Sequence, residues 1–185
     1  MNCSHKTDNN CFYSSLQQIP HYIWDDLDCT KNIYFNPNYL VSLEENNPHL
    51  TFFYVVLKDT QQKAIAFASV QIIDFHIDKT SDGSKNITNT VIHYARKLRV
   101  LPKEKPIKIL NCGNPFVSGE HGIFIKESQN KKAILRKLAK EISKYTQEKY
   151  QQKPIDIFIM KDFVEQSLPI SNELISLGYY AFNVE

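Results

Sequence analysis

The feature that most constrains the fold of this chain is a pair of apolar segments joined by a short polar turn. Residues 50–59 (LTFFYVVLKD) and 63–76 (KAIAFASVQIIDFH) are rich in β-branched and aromatic side chains, and such side chains favour β-strands. The residues between the two segments are polar. The pattern therefore predicts an antiparallel hairpin.

The second of these segments has unusually small side chains on one face. Side chains alternate between the two faces of a strand. One face therefore carries Ala64, Ala66, Ala68, Val70 and Ile72. Because small side chains leave room for a close neighbour, we predict that a helix packs on this face.

Three segments have the pattern of helices. Residues 35–48 offer Asn36 as a cap, a proline in the first turn and an Asn-Asn-Pro stop. Residues 129–150 are the strongest candidate, because apolar residues recur there at helical spacing. That apolar stripe consists of Ile134, Leu135, Leu138, Ile142 and Tyr145. A short helix at 170–180 is predicted to end at Gly178, in a left-handed cap.

The remaining segments complete the predicted order of elements. Short strands are predicted at 106–112, 122–125 and 179–185, and a buried strand at 154–163. Residues 78–86 are predicted to be a surface loop, and 87–100 a helix or a strand. Antiparallel strands thus precede a strand–helix–strand unit, which predicts an α/β (α+β) domain with a mixed, mostly antiparallel sheet flanked by helices.

The N-terminal part is set apart in this prediction. Residues 1–29 are assigned to a leader and a lead-in segment, and the domain to residues 30–185. Within the first segment, residues 1–10 are polar and expected to be loosely held. The lead-in is expected to place Ile23 and Trp24 on the core.

Composition argues against several classes of protein. The net charge is +2, which gives no strong field for nucleic acid. No apolar run approaches the ~18 residues that span a bilayer. The N-terminus lacks the apolar core of a secretory signal, so we expect a cytoplasmic protein. The four cysteines lack the paired spacing of a zinc site, and we expect free thiols and no metal.

Residues 111–122 (NCGNPFVSGEHG) hold three of the five glycines, and the last two of these flank Glu120 and His121. An ammonium group must lose a proton before it can attack a carbonyl carbon, so either side chain could act as the general base. Backbone N–H groups among the glycines could stabilise an oxyanion. The alternative is a tight turn in which Glu120 caps backbone donors and His121 is solvated.

The order of elements resembles the GNAT (Gcn5-related N-acetyltransferase) superfamily of acyltransferases. The likeness lies in the antiparallel run from LTFFYVVLKD to PIKILNC, the long helix from about residue 130, the strand DIFIM and the ending ISLGYYAF. FNPNYLVSLEENNP and CGNPFVSGEHG resemble, more narrowly, Fem-like proteins related to peptidoglycan biosynthesis and their uncharacterised bacterial relatives. The resemblance covers about residues 30–185.

This resemblance implies transfer of an acyl or aminoacyl group to an amine on a small molecule or a peptide. The implied donor is acyl-CoA or an aminoacyl-tRNA, and no nucleic acid other than such a tRNA is expected. Fem-like proteins normally comprise two such domains, so the chain is expected to be one half of a tandem with a second GNAT-like domain, or a truncated chain. Glu120 is our first choice for the general base and His121 the second.

The family also implies where a donor would bind. GNAT enzymes hold the pyrophosphate of coenzyme A on a glycine-containing turn that opens the long helix. Here Gln129 matches the first position of that turn, but Lys132 and Ile134 occupy the two glycine positions. Their side chains crowd the approach of phosphate to the backbone. Lys131 and Lys132 offer point charges in compensation.

Two amides near the glycines are further candidates for donor binding. Asn111 and Asn114, on either side of Gly113, could hold a pantetheine-like or peptide-like backbone, and ordinary turn chemistry is the alternative. Cys112 is expected to be a buried, inert thiol. The sequence does not assign a general acid to Tyr179 or Tyr180.

The long helix is strongly basic. Its cations are Lys131, Lys132, Arg136, Lys137, Lys140 and Lys144. They could meet the phosphates of coenzyme A or of a tRNA, and the run at 93–106 adds five more. A solvated helix face is the alternative, since Glu141 and Glu148 interrupt the pattern.

Three hypotheses of function follow. The first is an N-acyltransferase of the GNAT or Fem-like type. The second is a non-catalytic half-domain that binds a peptide, a cell-wall precursor or a partner domain. The third is a nucleic-acid-binding module, which predicts steep weakening of binding with salt.

Overall fold

The computed structural model of the protein describes residues 5–7, 10–76 and 106–182. Within these ranges the strands are β1 His5–Thr7, β2 Asn10–Tyr13, β3 Thr51–Lys58, β4 Ala64–Phe75, β5 Ile107–Cys112, β6 Ile123–Ile125 and β7 Ile157–Met160. The α-helices are α1 His21–Leu27, α2 Pro37–Glu45, α3 Lys131–Lys149 and α4 Leu168–Ser171. Short 3-10 helices lie at Leu16–Gln18, Ile33–Phe35, Glu165–Ser167 and Asn172–Leu177.

The strands form one sheet in the order β1-β2-β3-β4-β5-β7, and β6 pairs with β4. All pairs are antiparallel except β5 with β7, which run parallel. The predicted hairpin is β3 and β4. The predicted fold class, a mixed and mostly antiparallel sheet flanked by helices, is therefore confirmed.

Helix α3 covers one face of the sheet. Ala66, Ala68 and Val70 of β4 share a buried cluster with Leu138 and Ile142 of α3. The small side chains of β4 thus allow α3 to pack closely on this face, as the sequence pattern predicts. Burial of this apolar surface is the main contribution to the stability of the domain.

Ala64 is an exception to that prediction. It lies in the cluster on the opposite face, with Trp24 and Phe67. The register of β3 and β4 shifts between Leu57 and Lys58. Such a bulge adds one residue to a strand and moves the next side chain to the other face.

Helices α1 and α2 lie on that opposite face. Ile23 and Trp24 of α1 are buried, as predicted, and the Trp24 ring lies 5.1 Å from that of Phe67. The predicted ends of α2 are also confirmed, because Asn36 caps it by accepting the N–H of residue 38 at 3.0 Å. Gly178, at φ 88°, ends the 3-10 helix Asn172–Leu177 in the left-handed conformation.

The N-terminal segment departs from the prediction. Residues 5–7 and 10 lie in strands, so the expectation of a loosely held segment over 1–10 is wrong for them. The reason is the apolar run in β2, which lies between β1 and β3 in the sheet and is buried along its whole length. Phe12 stacks on Tyr145 of α3, with ring centroids 4.2 Å apart.

The C-terminal segment departs as well. Residues 179–182 form no strand, and Tyr180 and Phe182 are 77% and 42% exposed. β7 is half-buried rather than buried, because it is the last strand in the sheet order and one edge has no strand partner within the described ranges. Some predictions concern residues outside the described ranges. They are the surface loop at 78–86, the helix or strand at 87–100, the basic run over 93–105 and the end of the last strand at 183–185. No helix among the described residues is long and apolar enough to cross a membrane.

Candidate active site

The sheet opens where β5 ends. β5 and β7 pair as far as Cys112 and Met160. The next segment, β6, pairs with β4 and, among the described residues, with no other strand. A cleft of about 220 Å³ opens between β6 and the segment that follows β7. Its lining includes Glu120, Ile123, Ile125, Lys131, Lys161 and Phe163.

The backbone of β6 faces this cleft along one edge. The Ser69 N–H donates to the carbonyl of Gly122 at 2.8 Å, and the Lys126 N–H likewise bonds to β4, at 3.0 Å. In an antiparallel pair, every second residue directs its N–H and C=O to the same neighbour. Ile123 and Ile125 therefore direct their backbone groups away from β4 and towards the cleft.

β5 and β6 lie one after the other along the same edge of β4, with residues 113–122 forming a loop between them. The two ends of the loop touch. A Cβ atom built on Gly122 would lie 2.1 Å from Cα of Gly113, a distance that no side chain tolerates. The cluster of glycines in the sequence thus serves to close this loop.

The His121 ring is packed rather than solvated. It stacks on the Tyr34 ring, with centroids 3.6 Å apart and an interplanar angle of 23°. The ring also lies against Gly119, at φ 112°, where an added Cβ would be 2.6 Å from its Nε2 atom. Its Nδ1 is buried and has no hydrogen-bond partner among the described residues. The contacts of His121 are those of an anchor between the loop and the 3-10 helix Ile33–Phe35.

Asn111 and Asn114 direct their amides into the protein. Both residues are buried. Nδ2 of Asn111 donates to Oε1 of Gln71 at 2.7 Å and to the carbonyl of Gly113 at 3.3 Å. Nδ2 of Asn114 donates to the Tyr39 hydroxyl at 2.9 Å, and its Oδ1 accepts a backbone N–H of the loop at 2.9 Å. These amides fasten the loop to the sheet and to α2, so we leave both residues out of the donor site proposed below.

Glu120 occupies the apex of a tight turn. The His121 N–H donates to the carbonyl of Gly119 at 2.8 Å, which leaves Glu120 between them. Its half-buried carboxylate accepts the Val164 N–H at 3.1 Å. Because Val164 follows β7, the carboxylate connects the two walls of the cleft.

A cation and an aspartate follow directly after β7. Nζ of Lys161 lies 2.7 Å from Oδ2 of Asp162, and both side chains are mostly buried. Asp162 has φ 65°, an uncommon conformation for a residue other than glycine. The stem of Lys161 covers Gly113, since a Cβ there would lie 2.4 Å from Cγ of the lysine.

The start of α3 forms another border of the cleft. Asn130 caps the helix, because its Oδ1 accepts the Ala133 N–H at 3.1 Å. The N–H groups of Lys131 and Lys132 have no acceptor among the described residues. Nζ of Lys131 lies 2.7 Å from the exposed carboxylate of Glu127. Gln129 comes just before the cap, and its N–H donates within the preceding turn at 3.0 Å.

Two protonated groups lie beside the cleft: Cys112 belongs to its lining, and Tyr179 packs in a cluster with the lining residues Ile123 and Phe163. Burial raises the pKa of the Cys112 thiol to about 12, so it is neutral and inert near pH 7. Burial, and to a lesser degree the nearby Cys112 thiol, raise the pKa of Tyr179 to about 12. A phenol of this kind keeps its proton at neutral pH and can donate it. Tyr180 points outward and is 77% exposed.

Sequence reasoning missed several residues that line the cleft, among them Phe35, Lys161, Phe163 and Ile170. One signal was available for Lys161. Polar residues at the carboxyl end of a strand in a parallel pair are common at binding sites, and Lys161 and Asp162 directly follow the apolar run of β7. Phe35 and Ile170 carry no such signal, because they reach the cleft only through packing.

The cleft therefore combines a carboxylate with a free strand edge, and a neutral phenol packs against its lining. These groups can accept a proton, bind an extended chain that contains amides, and donate a proton. The described residues contain no group of three or more His, Cys, Asp or Glu side chains that could hold a metal ion.

No protein-family model and no curated protein matches the sequence. Solved structures do match the fold. A tetramutant of the BH1408 protein of Bacillus halodurans is 12% identical with a TM-score of 0.53, and the match covers 94% of this chain and 96% of that one. A point mutant of the same protein is also 12% identical, with a TM-score of 0.51, and the match covers 94% of this chain and 95% of that one. An aminoglycoside 6'-N-acetyltransferase of Acinetobacter baumannii is 13% identical, with a TM-score of 0.50. That match covers 96% of this chain and 93% of the acetyltransferase.

The protein has the GNAT-like fold. At 12–13% identity the likeness concerns the fold alone, and the narrower Fem-like assignment stays a prediction. Within this fold, the cleft is bordered by the N-terminus of α3 and by β6, which pairs with β4 alone in the part of the chain that the structure describes. The loop that carries Glu120 and His121 enters the cleft from the break between β5 and β6.

Proposed function

We propose that the protein is an N-acyltransferase that transfers an acyl group from a pantetheine thioester to an amine. One observation carries the proposal: the open sheet brings the free edge of β6 and the carboxylate of Glu120 into a single cleft. A structural neighbour that is itself named as an N-acetyltransferase lends further support. The acceptor class is the one expected from the sequence, an amine on a small molecule or a peptide.

The pantetheine part of a donor suits the cleft. Its arm contains amides, and an extended chain with amides can pair with a free strand edge as another strand would. Ile123 and Ile125 supply that edge. When bound, the thioester supplies an activated carbonyl group with a thiol as the leaving group.

The nucleotide part of coenzyme A suits the protein less well. A pyrophosphate needs free backbone N–H groups at the start of α3. The side chain of Asn130 already occupies the Ala133 N–H, and side chains of Lys132 and Ile134 replace glycines. Lys131 and Lys132 retain the charge and the N–H groups that a single phosphate could use.

Three groups of the chain have roles in the proposed reaction. Glu120 accepts the proton of the attacking ammonium group, which makes the nitrogen nucleophilic. The Ile123 N–H, which faces the cleft, stabilises the charge that develops on the acyl oxygen. Tyr179 donates its proton to the departing sulfur. The phenolate left on Tyr179 takes the second proton, which the nitrogen loses as the amide forms, and Glu120 releases the first proton to solvent. One C–N bond forms, one C–S bond breaks, and both side chains return to their starting protonation states.

The test is transfer from S-acetylpantetheine and from acetyl-CoA to a panel of primary amines, with the acylated amine detected by mass spectrometry. We expect acylated product with the wild-type chain. Glu120→Gln should lose at least about 100-fold in kcat/KM, and Glu127→Gln, which changes another glutamate of the cleft, should lose little. Failure of every donor and amine would overturn the proposal.

A second candidate is the non-catalytic half-domain that binds a peptide, a cell-wall precursor or a partner domain. It is favoured by the side-chain cap of Asn130, which uses an amide that a coenzyme would need. This candidate predicts saturable binding of peptides in the cleft without product from any thioester. Isothermal titration with tripeptides beside the transfer assay distinguishes the two.

A further inference from the structure

Helix α3 carries a strong local excess of positive charge. α3 contains seven of the 22 Lys and Arg residues and two of the 20 Asp and Glu residues. The net charge of the whole chain is +2, so outside α3 the acids outnumber the bases by three. The basic surface is therefore a local feature and not a consequence of overall composition.

Four of these cations form a line along the helix, which we call the basic stripe: Lys132, Arg136, Lys140 and Lys144. Residues four apart lie on one face of a helix, and these four span about 18 Å. All four are exposed. Lys131 and Leu135 immediately precede Lys132 and Arg136 in the sequence, and both line the cleft. The stripe therefore starts at the mouth of the cleft and leads away from it.

The stripe is only partly neutralised within the chain. Glu173 pairs with Arg136 and lies 3.9 Å from Lys132. Lys140 and Lys144 have no acidic partner among the described residues. The far half of the stripe is thus available to acidic groups of another molecule.

Resting on the proposed function, we infer that the natural donor is a thioester carried by an acidic carrier protein that docks on the basic stripe. A carrier protein presents the same pantetheine arm as coenzyme A, joined through one phosphodiester to a serine. It brings no pyrophosphate and no adenine, and so it does not need the amide that Asn130 occupies. Its acidic surface complements the stripe.

The same observations disfavour an aminoacyl-tRNA. A nucleic acid is held by many phosphate contacts along a continuous basic surface. Here Glu141 and Glu148 interrupt the helix, and Glu173 shares two cations of the stripe. A few unpaired lysines suffice to orient a small acidic protein, because such charges set the specificity and rate of docking.

The experiment measures binding of holo-acyl-carrier protein to the full chain by isothermal titration. Lys140→Glu combined with Lys144→Glu should raise the Kd roughly tenfold or more. Lys31→Glu combined with Lys63→Glu, which makes the same charge change at exposed positions elsewhere, should leave the Kd within about twofold. Raising salt from about 50 to about 300 mM should weaken binding of the wild type more than that of the stripe variant.

A matched kinetic experiment compares kcat/KM for three donors of the same acetyl group: the acetylated holo-carrier protein, acetyl-CoA and S-acetylpantetheine. The inference expects the highest kcat/KM with the carrier protein, and loss of that advantage in the stripe variant with turnover of S-acetylpantetheine retained. Equal use of acetyl-CoA, a Kd that the stripe variant does not change, or tighter binding of tRNA than of the carrier would overturn it. Absence of transfer from all three donors would instead overturn the proposed function.

Discussion

The carboxylate of Glu120 accepts the backbone N–H of Val164 across the cleft, at 3.1 Å. The two residues belong to segments that continue β5 and β7, the strands that separate at this point. The hydrogen bond therefore fixes the width of the opening and orients the carboxylate that we propose as the general base.

Two substitutions of Glu120 separate its hydrogen bond to the Val164 N–H from its proposed role as a general base. Glu120→Gln keeps an oxygen for the Val164 N–H but cannot take a proton, so we expect kcat/KM to fall at least about 100-fold with an unchanged melting temperature. Glu120→Ala loses both functions and should also melt at a lower temperature. Comparable activity of the wild type and Glu120→Gln in the transfer assay would show that this carboxylate is only structural.

Tyr179 offers a test that depends on the leaving group. Without its phenol the sulfur must depart as a thiolate, so Tyr179→Phe should lower kcat about 10- to 100-fold with pantetheine thioesters. A thiophenyl ester, whose thiol is much more acidic, should restore most of the rate. Tyr180→Phe is the matched control, because that ring is exposed. Equal loss with both donors would contradict the role of general acid.

The close approach of Gly122 to Gly113 predicts a large effect on stability. A methyl group at residue 122 would overlap Cα of Gly113, so Gly122→Ala should lower the free energy of unfolding by about 3 kcal/mol. Gly178→Ala meets no atom within 4 Å and strains only the left-handed backbone, which should cost about 1 kcal/mol. Urea denaturation of both variants measures the difference. Equal costs would mean that the loop ends can separate.

Burial of Cys112 predicts how stability depends on alkaline pH. Its thiol ionises near pH 9.0 in the unfolded chain and near 12 in the folded protein. The stabilising contribution is therefore fully present below pH 9 and is lost as the pH rises towards 12, because the unfolded state releases its proton first. The urea midpoint of the wild type should fall over this range more than that of Cys112→Ala. Parallel curves for the two proteins would contradict the assigned shift.

Much of the fold could be predicted because the relevant signals are local. The hairpin β3–β4 and the ends of α2 follow from side chains within a few residues of each element. The exceptions have tertiary causes. The bulge that moves Ala64 to the other face depends on how β4 meets β3. β2 is a strand because Phe12 finds Tyr145, which is remote in sequence.

The site was predicted less completely than the fold. The glycine pattern pointed to the loop, and the structure places Glu120 at the cleft. The roles of Asn111 and His121 depend on partners 40 and 87 positions away, Gln71 and Tyr34, which no local pattern reveals. Tyr179 follows the left-handed Gly178 and packs against Ile123 and Phe163 of the cleft, contacts that no local pattern reveals.

The contact between Gly113 and Gly122 has a consequence for how such a protein could change over evolutionary time. A segment that leaves and re-enters the sheet at a single point can be lengthened, shortened or replaced while the pairing on either side stays in register. Under the proposed function, new acceptor preferences would arise by exchange of this loop alone, with the edge of β6 that we propose for the pantetheine arm left intact.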